Sequence, residues 1–437
     1  MIGERQHEFL RDFAYLSSIG AMPSGGVDRE AATLPDAMQR SWLGGWLTSR
    51  GFDVRVDEIG NQFGLVELVP GAPYILTGSH LDSPPTAGRF DGAYGVAASA
   101  HAADAVARLA RSGQITPRYN LAVVNWFNEE GSRFTPSMMG SSVFTGKLPL
   151  ENAYSVEDDR GISVREALTR IGSIGTPPDL PLAGYAEIHI EQGKELEAAG
   201  ARIGVMTGTW GARKFLVTVD GEQAHTGPTP MADRRDALLG AALVIVRARE
   251  LADEPALHTT VSKLNVQPNS PVVVARQVIR NLDLRSPDPD ALETGERLLR
   301  QASAGFERAH GVSITLDRTH HWDRNDYAGD GIEPAEEVCV DLGLASHRIL
   351  TVVGHDSTNL KDVTPTVMLF VPSRDGISHN ECECTSDTDM LERLRTEVPA
   401  VPSLLLARGY DSPRWRADTA GPPVPAREGT VRGARGW

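Results

Sequence analysis

Cysteine is scarce in this chain, with three residues among 437, at positions 339, 382 and 384. Three cysteines give no paired disulfide framework, so we expect a reducing compartment and predict a cytoplasmic location. Cys382 and Cys384 are separated by a single residue, and this spacing fits neither a zinc knuckle nor a redox pair. We interpret them as packed or incidental residues.

Long apolar runs and excess positive charge are also missing. No stretch of 18 apolar residues occurs, so we predict no membrane span, and the polar residues at the N-terminus argue against a signal peptide. Lysine and arginine number 43 against 58 aspartate and glutamate residues, for a net charge of -15. Because nucleic acids and anionic membranes bind basic surfaces, we expect neither as a partner. The length allows two domains, each with its own core.

The stretch TGSHLDSPPTAGRFDGAYG contains the pattern around which the rest of the chain is organised. Apolar residues 74–76 predict a short strand, His80 falls at its end, and residues 96–109 predict the following helix. The loop between them carries Asp91. Histidine nitrogen and carboxylate oxygen are ligands of zinc-type metals, and Asp82 is placed to hold the other ring nitrogen of His80. By itself, the His-x-Asp pattern fits a surface pair equally well.

Three more segments place candidate ligands at or just after the end of a predicted strand. Glu129 and Glu130 follow the apolar residues 120–127, and a glycine comes next. His189 lies in the alternating stretch AEIHIEQG, and His379 lies past the apolar run TVMLFVP. Each pattern also has an ordinary explanation, as an exposed glutamate pair or a histidine on a half-exposed strand. Because strand ends in an open α/β sheet meet at one edge, the shared position indicates one site.

Residues 211–318 predict the order strand, helix, strand, strand, helix, strand, which is that of a ferredoxin-like unit. This unit interrupts the first domain, because His379 must return to the site of the earlier ligands. We therefore predict an α/β fold whose catalytic domain, residues 1–210 and 319–410, has an open mixed sheet flanked by helices. Residues 411–437 are rich in Pro, Gly and Arg, which predicts a disordered tail.

Taken together, the motifs resemble those of the M20 metallopeptidase and amidohydrolase family over roughly residues 5–408. They are GSHLDSPPTAGRFDG, NEEGSRF, HIEQG, AHTGPTPMADRRDAL, GHDS and FVPSRDGISHNE. They are most similar to the branch of N-carbamoyl-L-amino acid hydrolases, β-ureidopropionases and allantoate amidohydrolases. The resemblance implies hydrolysis of a linear amide or ureido C–N bond with two divalent metal ions per subunit. Zinc suits the donor types, while manganese, cobalt and nickel stay open.

The resemblance assigns the metal ligands by position. His80 and His189 would hold one metal, Glu130 and His379 would hold the other, and Asp91 would bridge the two. The peptide bond after Asp91 would be cis, which is a rare geometry outside proline.

The resemblance also assigns the catalytic and substrate-binding residues. Glu129 would be the catalytic base, and the substrate would be bound by Gln192, His225 and Arg285. The inserted unit would be a lid and dimerisation domain, through which a homodimer forms. His225 would then reach the active site of the partner subunit.

Two departures from the family pattern concern the substrate. Val272 stands where this branch usually has an asparagine that holds the ureido or amide oxygen, and HTGPTP replaces the commoner HAGTTP. Asn269 or His225 would then contact that oxygen. Without the resemblance, His225 is equally well a loop histidine and Arg285 a surface ion pair. His355 is interpreted as structural rather than as a partner of a metal ligand.

The expected substrate is a small ureido or N-acyl acid, in the first place an N-carbamoyl-L-amino acid. Allantoate, N-acyl amino acids and dipeptides stay open as alternatives. A non-enzymatic metal-binding scaffold is the alternative from another class. Such a scaffold would lack a ligand or the base, and the motifs contain them all.

Overall fold

The structure is a computed structural model that describes residues 2–253, 257–386 and 390. The predicted tail, residues 411–437, lies outside the described residues, and so does the last part of the predicted catalytic segment 319–410. No helix in the described ranges is long and apolar enough to cross a lipid bilayer.

The described chain contains both helices and strands, and we number each kind in chain order. The helices are α1 (Ile2–Ser18), α2 (Leu34–Ser49), α3 (Ala93–Arg111), α4 (Met139–Phe144), α5 (Leu150–Tyr154), α6 (Val164–Arg170), α7 (Glu195–Ala199), α8 (Ala237–Leu251), α9 (Pro289–His310), α10 (Gly329–Asp341) and α11 (Ser357–Leu360). The strands are β1 (Asp53–Val56), β2 (Gln62–Val66), β3 (Tyr74–His80), β4 (Asn120–Trp126), β5 (Leu182–Ile190), β6 (Ile203–Thr209), β7 (Gly211–Asp220), β8 (Ala224–His225), β9 (His258–Gln267), β10 (Val273–Val274), β11 (Gln277–Ser286), β12 (Ser313–Trp322), β13 (Asn325–Asp326), β14 (Ser346–Thr351) and β15 (Thr366–Val371). Short 3-10 helices cover Met231–Asp233 and Arg374–Gly376.

The ends of α9 follow from local sequence. The carboxylate of Asp288 accepts the N–H of Asp290 at the first turn, and Pro289 fits there because that position needs no N–H donor. The helix ends at Gly311, whose φ of 64° suits a residue without a Cβ.

Nine strands form the main sheet. Their order is β1-β2-β4-β3-β5-β15-β6-β13, and β14 pairs with β6. β3 is parallel to β4 and β5, β15 is parallel to β5, and β15 is antiparallel to β6. Successive side chains of β4 alternate between two buried apolar clusters, with Leu121 and Val123 in one and Ala122 and Val124 in the other. The sheet is therefore covered on both faces, and the predicted open mixed sheet flanked by helices is confirmed.

Four antiparallel strands form a second sheet in the order β12-β7-β11-β9. α8 and α9 complete the βαββαβ order of a ferredoxin-like unit and pack with the sheet around a separate apolar cluster. The chain leaves the main sheet after β6 and returns to it at β13, so the unit is inserted as predicted. β12 continues to Trp322, past the predicted limit at residue 318. The boundaries 1–210, 211–318 and 319–410 themselves stay a prediction.

Candidate active site

The candidate metal ligands lie at one edge of the main sheet. His80 is the last residue of β3, and His189 is the last but one of β5. Glu129 and Glu130 lie just after β4, and His379 lies in the loop after β15. Because β4, β3, β5 and β15 are neighbours that run parallel, their carboxyl ends meet at this edge.

Asp91 is at the centre of the site, because its two carboxylate oxygens contact different histidines. Oδ1 lies 3.0 Å from Nε2 of His189 and 3.6 Å from Nε2 of His80. Oδ2 lies 3.3 Å from Nε2 of His379, and this nitrogen is 3.2 Å from Oε2 of Glu130. Two groups of donor atoms, each within 4.8 Å of one another, therefore share Asp91.

The donor atoms of both groups fit metal ions. Nδ1 of His189 lies 2.9 Å from a backbone carbonyl oxygen, and Nδ1 of His80 lies 3.1 Å from another. With its proton on Nδ1, His80 offers the lone pair of Nε2 toward Asp91. Burial lowers the pKa of His189, but the charge of Asp91 and the hydrogen bond to it outweigh this effect and raise the pKa to about 9, so Nε2 of His189 must first lose a proton. Glu130 adds a buried oxygen, Oε1, that has no partner among the described residues. Nitrogen and oxygen donors in this arrangement suit zinc and related divalent metals.

His80 and His379 carry different charges in the metal-free protein. Burial lowers the pKa of His80 to about 3, so its ring is neutral at pH 7. Burial also lowers the pKa of His379, but hydrogen bonds to Asp91 and Glu130 outweigh this effect and raise it to about 11. His379 must therefore lose a proton before its Nε2 can bind a metal.

Metal binding at pH 7 is therefore expected to release protons. The apparent metal affinity should rise between roughly pH 6 and pH 9, by about tenfold per pH unit for each proton released. Calorimetric titration in two buffers of different ionisation enthalpy measures the number released. His379→Ala should reduce that number, whereas His347→Ala, at an exposed position, should leave it unchanged. Metal binding without net proton release would contradict this expectation.

Glu129 is buried next to the metal-ligand candidates. Its Oε2 lies 3.5 Å from Nε2 of His80. Burial, together with the charges of Asp356 and Glu130, raises the pKa of Glu129 well above that of a free glutamate. A buried carboxylate with a raised pKa has a higher affinity for protons than a free glutamate, which suits a group that takes up a proton and returns it during a reaction.

Asp82 contacts His80 differently from the prediction. Its backbone carbonyl oxygen lies 3.1 Å from Nδ1 of His80, whereas its carboxylate oxygen is 3.6 Å away. The carboxylate instead accepts the backbone N–H groups of Glu129 at 3.2 Å and Glu130 at 3.3 Å. The carbonyl group therefore orients the histidine ring, and the side chain holds the segment that carries both glutamates.

Glu383 and Ser378 support the site and were missed in the sequence. Oε1 of Glu383 accepts the N–H groups of Phe90 at 2.9 Å and Asp91 at 3.1 Å. Ser378 Oγ donates to Oδ2 of Asp91 at 2.9 Å. A Cβ on Gly88 would lie 2.2 Å from the Glu383 carboxylate, so this contact requires glycine. Both residues lie in the loop that carries His379, and this position was the signal in the sequence that could have identified them.

His355 packs directly against a metal-ligand candidate. Its ring centroid lies 4.6 Å from that of His189 and 5.5 Å from that of Phe370. Burial lowers the pKa of His355 well below its usual value, so the ring is neutral. These contacts fit the structural interpretation of this residue, since a packed neutral ring restricts the orientation of His189.

Unusual backbone conformations are concentrated around the site. Asn128, Met138, Gln192 and His379 have φ angles between 51° and 57°. Residues other than glycine rarely adopt such angles, and they persist where the surrounding structure enforces them. The last three line the cleft described next, and Asn128 directly precedes Glu129.

A cleft of about 570 Å³, open solvent at its mouth included, lies over the candidate ligands. The second sheet contributes Lys214, Arg285 and Trp322 to its wall. Arg285 contacts the carboxylate of Asp283 through Nε at 2.9 Å and Nη2 at 2.8 Å, and its Nη1 donates to the carbonyl oxygen of Val352 at 3.0 Å. Arg285 therefore faces the cleft as a partly neutralised cation.

The other predicted substrate residues differ in their position. Gln192 lines the cleft, where its amide nitrogen donates to Oδ2 of Asp91 at 2.5 Å. Its Oε1 is buried and has no partner in the part of the chain that the structure describes. His225 and Asn269 are exposed and do not line this cleft. Within one chain, the structure therefore brings Gln192 and Arg285 to the site and leaves the other two outside.

The peptide bond between Asp91 and Gly92 is trans, in contrast to the implied cis geometry. The cis bonds of the described residues precede Pro136 and Pro268. The chain turns instead through Gly92, whose φ is 61°, and a Cβ there would lie 2.3 Å from the ring of His80. A trans bond avoids the energetic cost of a cis peptide without proline.

A sequence model of peptidase family M20/M25/M40 matches residues 76–399, which is more than half of the chain. The chain belongs to this family. Its match begins in β3 and includes all the candidate ligands described above.

This M20 protein resembles amidohydrolases along almost its whole length. A Mycolicibacterium smegmatis protein named only as a hydrolase is 53% identical over 407 residues, 91% of this chain and 93% of that protein. An N-carbamoyl-L-amino-acid amidohydrolase of Rhizobium meliloti is 34% identical over 375 residues, 84% and 89% of the two chains. An allantoate amidohydrolase of Bacillus subtilis is 30% identical over 411 residues, which are 91% of this chain and 96% of that protein. The structure of a hydantoinase/carbamoylase family amidase of Burkholderia vietnamiensis superposes with a TM-score of 0.85 at 37% identity. The superposition covers 92% of this chain and 97% of that one.

These similarities confirm three predictions from the sequence. The family is M20, the fold is that of its α/β hydrolases, and the M20 protein is a hydrolase of C–N bonds other than peptide bonds.

Proposed function

We propose that this M20 protein is a binuclear metal hydrolase that cleaves the ureido C–N bond of N-carbamoyl-L-amino acids. The observation that carries the proposal is Asp91, whose two carboxylate oxygens contact separate groups of ligand atoms, with Glu129 beside them. A relative that is 34% identical is named for this activity.

The metals have defined ligands in this proposal. His80, His189 and Asp91 would hold one divalent ion, and Asp91, Glu130 and His379 would hold the other. When bound, such metals polarise the scissile carbonyl group and lower the pKa of water. Zinc suits the donor atoms, and manganese, cobalt and nickel stay open.

Glu129 is the general base of the proposed reaction. It takes a proton from the attacking water and returns it to the leaving nitrogen. His225 donates to the oxygen on which negative charge develops. Because His225 lies outside the cleft of its own chain, this role requires a second copy of the chain. The carbamoyl group leaves as carbamate, which decomposes to carbon dioxide and ammonia.

Arg285 and Gln192 position the substrate in the cleft. Arg285 has two N–H groups beyond those bonded to Asp283 and Val352, and its planar fork suits a carboxylate. Val272, which stands where the branch usually has asparagine, is 58% exposed. Asn269 or His225 would contact the ureido oxygen in its place. Since both lie outside the cleft of their own chain, this contact would come from a second copy of the chain.

A substrate panel tests the proposal directly. N-carbamoyl-L-amino acids, allantoate, N-acetyl-L-amino acids and dipeptides are assayed with zinc-loaded and manganese-loaded protein, and the released ammonia or amino acid is measured. We expect kcat/KM for the N-carbamoyl compounds to exceed that for the others by about tenfold or more. Chelator-treated protein is the control and should be inactive. Faster turnover of N-acetyl compounds or dipeptides, or no turnover at all, would reject the proposal.

Allantoate amidohydrolase activity is the second candidate. The 30% identity to such an enzyme over 91% of the chain supports it. It predicts that allantoate is the best substrate of the panel. A metal-binding scaffold without turnover stays the non-enzymatic alternative, and it predicts that every substrate fails with fully loaded protein.

We also propose that residues 211–318 form a lid through which a homodimer assembles. Leu238, Leu239 and Val246 of α8 and Leu264 of β9 expose 42% to 55% of their surface. β9 is an edge strand with unpaired backbone groups on one side. Analytical ultracentrifugation should therefore give the mass of a dimer, and a monomer mass would reject this assembly. Cytoplasmic location stays a prediction from the sequence.

A further inference from the structure

Lys214 lies in the cleft wall that the second sheet provides. It is on β7, and it is half-buried beside Arg285 and Trp322 in the lining of the cleft. Its direct neighbour across the strands is Asp283 of β11, so the two side chains lie on the same face of the sheet. Its Nζ is 5.4 Å from the centroid of the Trp322 ring. Lys214 therefore faces the candidate ligands from the opposite wall.

The two cations of this wall differ in their bonding. Arg285 uses Nε, Nη1 and Nη2 for Asp283 and Val352. The ammonium group of Lys214 makes no hydrogen bond or ion pair with another described residue, although the charges of Asp283 and Glu129 act on it. By comparison, Nζ of the surface residue Lys147 lies 2.5 Å from a carboxylate oxygen. The three N–H donors of Lys214 therefore have no hydrogen-bond acceptor among the described residues, and Nζ lies near the Trp322 ring.

A half-buried ammonium group without a counter-ion is energetically unfavourable. Burial lowers the pKa of Lys214, because it penalises the charged form. An anion bound in the cleft would offset this penalty and would accept hydrogen bonds from the ammonium group. The carboxylates of Asp283 and Glu129 attract this charge, but neither forms an ion pair with Nζ. The partner that fits is therefore an anionic group on the ligand.

We infer that Lys214 binds the carboxylate of the substrate beside Arg285 and sets the preference of the enzyme for acidic over neutral N-carbamoyl compounds. This inference rests on the proposed function, because it takes the cleft as the substrate site. It makes Lys214 a specificity-determining residue in addition to Arg285.

The test compares one acidic substrate with its neutral analogue, N-carbamoyl-L-alanine with N-carbamoyl-L-alanine amide. Lys214→Met is expected to lower the ratio of kcat/KM for the acid to that for the amide by about tenfold or more, mainly through a higher KM for the acid. Lys214→Arg, which keeps the charge, should restore most of the ratio. Lys147→Met removes a lysine outside the cleft and should leave the ratio of the wild type.

Equal loss with both substrates would overturn the inference, because it would mean that Lys214 only supports Asp283 or the sheet. An unchanged ratio in Lys214→Met would overturn it as well. If the wild type hydrolyses neither compound, the proposed function fails, and binding then decides the inference. Calorimetry with N-carbamoyl-L-alanine should give a Kd at least about tenfold higher for Lys214→Met than for the wild type. Equal Kd values, or no binding to the wild type, would reject it.

Discussion

Glu129→Gln is expected to lower kcat about 10³-fold while fold and metal content stay unchanged, since a general base contributes roughly 10²- to 10⁴-fold. Glutamine has nearly the same shape as glutamate but cannot accept the proton of the attacking water. The fold should tolerate the change, because the Glu129 carboxylate is buried near Asp356, Glu130, Asp82 and Asp91, and their charges raise its pKa. A neutral amide removes that repulsion.

Steady-state kinetics and metal analysis on the same preparation measure this effect. Glu151→Gln is the matched control, because Glu151 is exposed and, among the described residues, its carboxylate is paired with Arg165. It should keep the activity of the wild type. If Glu129→Gln retained kcat within about tenfold of the wild type, another group would have to be the base. A loss of metal together with activity would place Glu129 among the ligands instead.

Asp91→Asn is expected to remove most of the bound metal and to lower kcat/KM by about 10³-fold or more. Asp91 is the residue shared by both groups of ligand atoms, with Oδ1 on His189 and Oδ2 on His379. An amide has one oxygen acceptor and no negative charge, so it cannot bridge two cations. The metal content should fall from about two per chain to below about one.

Comparing the metal content of Asp91→Asn with that of His379→Ala separates the loss of a shared ligand from the loss of a ligand of one metal. That change leaves His80, Asp91 and His189 in place, so about one metal per chain should remain. Asp362→Asn is the control at an exposed position paired with Lys147, and it should keep the full content. Mass spectrometry of the metals and circular dichroism on each variant separate metal loss from unfolding. Two metals per chain in Asp91→Asn would refute the bridging role.

The strand ends that carry the ligands could be predicted because their signals are local. An apolar run followed by glycine or proline predicts where a strand stops. His80 and the Glu129-Glu130 pair stood directly at such ends, and the structure places them there. The inserted sheet was also predictable, since the order of its six elements is a property of the chain and not of distant contacts.

Roles that depend on contacts between distant segments could not be predicted in this way. The carboxylate of Asp82 was expected at His80, but it lies within reach of the Glu129 and Glu130 N–H groups, which are better placed to be its partners. Glu383 accepts the backbone N–H of Asp91 across a sequence separation of 292 residues. No spacing rule connects such residues, because the loops between them carry no information about their final distance.

The family, the order of the elements and the residue types that meet at one edge of the main sheet could all be inferred from the amino-acid sequence. These depend on periodicity, on residues that end strands and on donor chemistry, which are all local properties of the chain. The three-dimensional structure was needed to show that Asp91 faces two separate ligand groups, that Arg285 donates to the carbonyl oxygen of Val352, and that the Lys214 side chain lines the cleft. These contacts join segments that are far apart in the chain, so no local pattern in the sequence indicates them.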